Sequence, residues 1–142
     1  MDDPHPFRLR NDLSEVPPLR EQFASACAAE GVIDDDVQAL MLVLTELVNN
    51  AIEHGCTRPG DVVEGSYRIT TADIEIEVSD PSTGLSEASF QNSDAADFAE
   101  NGRGAGLFLV RAMTDELSVA PALAGGTTVR VVRHRRTAGG AA

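Results

Sequence analysis

The longest periodic stretch of the chain begins near Asp34. Val37, Leu40, Met41, Leu44, Leu47, Val48, Ala51 and Ile52 recur at spacings of three and four. At roughly 100° per residue these positions form one apolar stripe, which predicts an amphipathic helix closing at His54-Gly55. An earlier helix is predicted from Leu19, Phe23, Ala26 and Cys27, with Asn11, Asp12 and Ser14 as capping candidates, Pro17 and Pro18 in the opening turn and Gly31 as the stop. Phe7 to Arg10 alternates apolar and basic and reads as a short edge strand. The period then changes to two. Val62 to Thr71 and Asp73 to Asp80 read as strands, with Ile74, Ile76 and Val78 alternating with Glu75, Glu77 and Ser79. Thr71-Ala72-Asp73 is short enough to make them an antiparallel hairpin.

Pro81 to Asn101 is rich in Ser, Asp and Ala with little periodicity, and is read as a loop with a short helical turn. Gly106 to Met113 predicts a third helix with Leu107, Val110 and Met113 inward. Leu117 to Ala120 and Thr127 to His134 predict two further strands. Helices and strands follow one another without a repeating βαβ unit. The expected fold is therefore α+β: a two-layer α/β sandwich, with a mixed, mostly antiparallel sheet and helices on one face. No internal repeat breaks the chain, so residues 1–142 are read as one domain, ordered over about residues 5–135, with the Arg-rich and Gly/Ala tail disordered.

Composition narrows the partners. The 23 acidic residues against 11 basic ones give a net charge of −12, which argues against direct binding to nucleic acid or an anionic membrane and suits a partner with a basic patch. Every basic residue other than histidine is Arg, so a P-loop or Schiff-base lysine is excluded. Cys27 and Cys56 have neither metal-ligand nor redox spacing, as expected of a reduced, cytoplasmic protein. The start, Met-Asp-Asp-Pro-His-Pro, is acidic and lacks an apolar signal segment, and no apolar run is long enough to span a bilayer.

Candidate chemistry lies beside the apolar stripe. Glu46, Asn50 and His54 are spaced four apart, on a polar face of the second helix. A carboxylate there can accept a proton, and a carboxamide oxygen is a hard ligand for Mg²⁺; a plain solvated face is the alternative. Gly102-Arg-Gly-Ala-Gly106 opens the third helix, either as a phosphate cradle or to allow close helix–sheet packing. It is not a dinucleotide-binding fingerprint, because no strand leads directly into it. Asp80 ends a strand before Pro-Ser-Thr-Gly84, which alone could be a turn, and Gly125-Gly126-Thr127-Thr128 could be a hairpin connection or a source of hydroxyls for phosphate.

Taken in order, Glu46-x-x-x-Asn50-Ala-x-x-His54, Asp80, the loop, Gly102-x-Gly104-x-Gly106-Leu and Gly126-Thr127-Thr128 resemble the N box and glycine boxes of the GHKL (Bergerat-fold) ATPases. Chain length and the Met113-Thr-Asp-Glu-Leu117 segment make it similar to the anti-sigma factor serine kinases of the RsbW and SpoIIAB type. The resemblance covers roughly Phe7 to Arg133. It implies ATP and Mg²⁺ as cofactors, Asn50 as the Mg²⁺ ligand and Glu46 as general base toward a partner's serine. It implies that Asp80 accepts from the adenine amine and that Gly84 lines the base. Nucleotide contacts are implied for His54, Gly102, Arg103, Gly104, Ala105, Gly106 and Leu107, with Thr127 or Thr128 closing the pocket. It further implies a sigma factor and an anti-anti-sigma STAS-domain protein as partners, Arg20 as a docking residue, and a homodimer. The alternative function is a partner-switch binding module with little or no kinase activity. A histidine-kinase catalytic domain is disfavoured, because His5, His54 and His134 lack a phospho-acceptor context. The pattern departs from the family at Ser82, which stands where the first glycine box, Asp-x-Gly-x-Gly, carries its first Gly. If that position needs positive φ, Ser costs on the order of 1 kcal/mol.

Overall fold

The computed structural model describes residues 3–82, 104–122 and 125–137, with side chains from residue 106 in the second of these stretches. Strand β1 (His5–Arg10) leads through a 3₁₀ turn (Leu13–Glu15) into α1 (Val16–Ala29) and α2 (Asp34–Asn50). After a π-helical turn (Ala51–Gly55) come β2 (Val62–Ile69), β3 (Asp73–Asp80), α3 (Gly104–Ala112), β4 (Glu116–Pro121) and β5 (Thr127–His134). The five strands form one sheet in the order β1-β2-β3-β5-β4. Every neighbouring pair among the described residues is antiparallel, in keeping with the expected mostly antiparallel sheet of an α+β sandwich.

The predicted alternation decides which face is covered. Val63, Tyr67 and Ile69 of β2, Ile74, Ile76 and Val78 of β3, and Val129 and Val131 of β5 are buried in one core with the helices. Phe23 of α1, at the centre of that core, meets Tyr67 edge-on with ring centroids 5.1 Å apart. On the opposite face, Glu75 of β3 forms ion pairs with Arg68 of β2 and Arg130 of β5, so this side of the sheet is polar. α2 buries Val37, Leu40, Val43, Leu44, Leu47 and Val48, with Met41 half-buried.

Three local features differ from the periodicity reading. Asp36, in the acidic first turn of α2 and off its apolar stripe, is fully buried. Its Oδ1 accepts from Arg133 Nε at 2.9 Å and its Oδ2 from the Arg136 amide at 2.8 Å. Next to this clamp, Arg135 donates to Thr70 O and Glu30 O. Residues 138–142 lie outside the described residues. Finally, the α-helix predicted to run to His54-Gly55 stops at Asn50 and continues as the π turn. The wider turn takes His54 out of the i, i+4 register that placed it on the stripe of Glu46 and Asn50, and leaves it exposed.

Candidate functional site

α2 presents Glu46 and Asn50, both half-buried, one turn apart. Gly106 brings α3 against Glu46: a Cβ there would overlap the Glu46 carboxylate, lying 3.0 Å from Glu46 Cδ. Absence of a side chain at Gly106 thus lets the helix N-terminus approach the acid. Two motifs far apart in sequence meet at this point. The next residue, Leu107, is buried and anchors the helix in the core. Asn50 is the last residue of α2, directly before the π turn, a local distortion found frequently at functional sites.

The second part of the site is built around Asp80 at the end of β3. It pairs directly with Thr127 of β5. Its carboxylate lies against Gly55, the end of the π turn, where a Cβ would come within 2.6 Å of Asp80 Oδ2. Gly126 takes φ +90°, and a Cβ there would overlap the Asp80 carbonyl and lie 2.8 Å from Pro81 Cα. The end of β3 and the start of β5 are therefore in backbone contact. Ser82 completes the corner: its amide donates to Asp80 Oδ1 at 2.7 Å, its hydroxyl donates to the same oxygen, and its carbonyl accepts from Thr127 Oγ1 at 2.7 Å. No described non-glycine residue has positive φ, so the expected strain at Ser82 does not arise. The first-glycine-box segment instead closes as an Asx turn.

The two candidate threonines separate. Thr127 is buried on the side of Asp80, whereas Thr128 points to the opposite face and shares a 2.6 Å hydrogen bond with Ser79. Strand alternation requires one of the two to face away. Arg20 lies half-buried on α1, and its buried Nε has no hydrogen-bond partner among the described residues. Gly84, Gly102, Arg103 and the loop from Leu85 to Asn101 lie outside the described residues; at Gly104 and Ala105 only the backbone is described. Neither thiol is a candidate nucleophile. Burial pushes Cys27 up to about 12, and burial, followed by the charges of Asp61 and Asp80, pushes Cys56 up as well. The residues that sequence reasoning missed here are Gly55 and, as an active partner of Asp80, Ser82. A signal for Gly55 existed, since it was read only as a helix stop.

No described group of three or more His, Cys, Asp or Glu side chains could hold a metal by itself. The carboxamide oxygen of Asn50, at the end of α2, is a hard donor of the kind magnesium takes alongside phosphate and water. No described helix is long and apolar enough to cross a membrane.

An antiparallel sheet covered by helices on one face, with the Glu46 carboxylate of α2 against Gly106 of α3, is the arrangement expected of an ATPase domain. The chain belongs to the histidine kinase-like ATPase domain family, which it matches over residues 9–133. Its fold is similar to that of a solved structure of the RsbU and RsbW domains of Rv1364c from Mycobacterium tuberculosis, with a TM-score of 0.65 and 22% identity. That match covers 96% of this chain and 34% of the other, so the chain spans about a third of the length of the protein it matches. No curated protein matches its sequence.

Proposed function

We propose that this chain is an ATP-binding anti-sigma factor of the RsbW type. On this reading it transfers the γ-phosphoryl group of ATP to a serine of an anti-anti-sigma STAS-domain protein and, in the alternate state, sequesters a sigma factor. The observation that carries the reading is the approach of Gly106 to Glu46, which joins an acid on α2 to the N-terminus of the glycine-opened helix. The paired Asp80 corner at the far end of the π turn supports a base-binding end to the same site. Resemblance to the RsbW and SpoIIAB kinases supports a cytoplasmic homodimer with Arg20 in partner docking. The net charge of −12 suits a partner with a basic surface.

The residues divide the work by position. Amides at the start of α3, exposed by glycine, would bind phosphate at a helix N-terminus. Asn50 would hold Mg²⁺ through its carboxamide oxygen, next to Glu46. Bound Mg-ATP supplies the phosphoryl group and the charge that offsets its negative oxygens. Glu46 would orient the partner's serine hydroxyl and take up its proton as the serine oxygen bonds to the γ-phosphorus and the bond from that phosphorus to the leaving ADP oxygen breaks. Because phosphoryl transfer passes through a loose transition state, positioning carries most of the burden. Asp80 would accept from the amine of adenine, and Thr127 would hold the corner through Ser82. Incubation with labelled Mg-ATP and the anti-anti-sigma proteins encoded by the same genome tests the proposal. Labelled phosphoserine on one of them is the expected result. No label on any, with sigma factor and antagonist still bound, would leave a binding module rather than a kinase.

A further inference from the structure

We propose that Gly55 is a positioning residue for nucleotide binding: its missing side chain leaves the space that the Asp80 carboxylate occupies, and so fixes that carboxylate at the base end of the site. The inference rests on the nucleotide-binding reading above. Gly55 is buried at the end of the π turn and does not take positive φ, so its backbone conformation would accept alanine. What excludes a side chain there is space. A Cβ at position 55 would overlap Asp80 Cγ and lie 2.6 Å from Oδ2 and 2.7 Å from Oδ1. Turning the carboxylate about its Cβ–Cγ bond exchanges the two oxygens and leaves Cγ where it is. Relief therefore requires the whole group to leave.

The main chain of Asp80 is held in place. It pairs with Thr127 in the sheet, and its carbonyl lies in contact with Gly126. The side chain is thus the part that would move, and it is itself tied. Asp80 Oδ1 accepts from the Ser82 amide at 2.7 Å and from the Ser82 hydroxyl, while Thr127 Oγ1 donates to the Ser82 carbonyl at 2.7 Å. A methyl group at position 55 would drive the carboxylate off these bonds and away from the place where a bound base would meet it. The arrangement repeats the one at the phosphate end, where the missing side chain of Gly106 leaves room for the Glu46 carboxylate. Each acid of the site occupies the space left by a glycine from another element.

A double-mutant cycle on Gly55→Ala and Asp80→Ala tests this, read by titration calorimetry with Mg-ADP and by thermal unfolding of each variant. Gly55→Ala is expected to keep a cooperative transition and to lower Mg-ADP affinity by roughly tenfold, the size of one hydrogen bond to a charged group. Asp80→Ala, which removes the carboxylate and vacates the space, is expected to lower it by a similar factor. With the carboxylate gone the methyl group has nothing to displace, so the double variant is expected to match Asp80→Ala to within about twofold. A glycine needed only for packing would instead give independent losses. Losses that multiply in the double variant overturn the inference, and so does a Gly55→Ala affinity equal to that of the wild type; either leaves nucleotide binding standing. Should Gly55→Ala fail to fold, restored folding in the double variant bears out the collision with Asp80, and a double variant that stays unfolded while Asp80→Ala folds overturns it. A wild type that binds no ADP overturns both the inference and the reading beneath it.

Discussion

The Glu46 carboxylate lies where a Cβ at position 106 would be. Replacing Glu46 by Gln preserves size and hydrogen bonding while removing the basic oxygen. If Glu46 accepts the serine proton, Glu46→Gln holds ATP affinity within a few-fold and slows single-turnover transfer by about 10²–10⁴-fold. Equal transfer rates in the two proteins would remove Glu46 from that role. Asn50 is separable from it. Asn50→Ala is expected to abolish the magnesium dependence of nucleotide affinity while leaving circular dichroism unchanged, and a calorimetric titration with and without Mg²⁺ reads the difference. Residue types were legible at both positions because α2 is so strongly periodic. The choice between Thr127 and Thr128 was not, since strand alternation gives two faces but does not name them until a neighbour such as Ser79 or Ser82 is known. Ser82 was legible only as a departure from a motif. That its hydroxyl and amide both turn back onto Asp80 depends on turn geometry, which no periodicity encodes.

At the scale of elements, α2 joins the site to the far end of the sheet. Its C-terminal end carries Glu46 and Asn50, and its first turn carries Asp36, buried beside Arg133 of β5. Burial pushes the Asp36 carboxyl up. The Arg136 amide, then the Arg133 side chain by hydrogen bond and charge, outweigh burial and leave it below its ordinary value of 3.8. A depressed carboxylate contributes stability that is fully present above that ordinary value and is lost as pH falls through the lower, folded one. Chemical unfolding should therefore show this contribution intact at neutral pH and disappearing in strong acid, below pH 3.8. Asp36→Ala, which leaves Arg133 buried without its partner, is expected to cost about 3–5 kcal/mol at pH 7. In the variant, the acid-dependent part of the loss should shrink. The strands and helices themselves were readable because each buries one face. The π turn was not, because its residues, Ala51 to Gly55, continue the apolar stripe of an ordinary α-helix.

For the molecule as a whole, the order β1-β2-β3-β5-β4 places the last strand in sequence inside the sheet, between β3 and β4. The antiparallel hairpin of β2 and β3 could be anticipated from the short Thr71-Ala72-Asp73 connection. The insertion of β5 could not, because sequence spacing does not say which edge a returning strand will choose. Since β5 supplies Thr127 at one end and Arg133 at the other, both the Asp80 corner and the Asp36 clamp depend on it. A chain ending at residue 126 is expected to lack cooperative thermal unfolding and to bind a hydrophobic dye, through the uncovered edge of β3. A sharp calorimetric transition in that truncated chain would contradict the dependence.

The same insertion imposes a schedule on the newborn protein. Asp36 and Arg133 are 97 residues apart, and chains emerge at about 5–20 residues per second, so the aspartate waits roughly 5–20 s for its arginine. Throughout that interval Ile74, Ile76 and Val78 lie on a strand whose eventual neighbour has not yet been translated. That exposure to aggregation ends when a single strand pairs with β3 and closes the sheet and the Asp80 corner together.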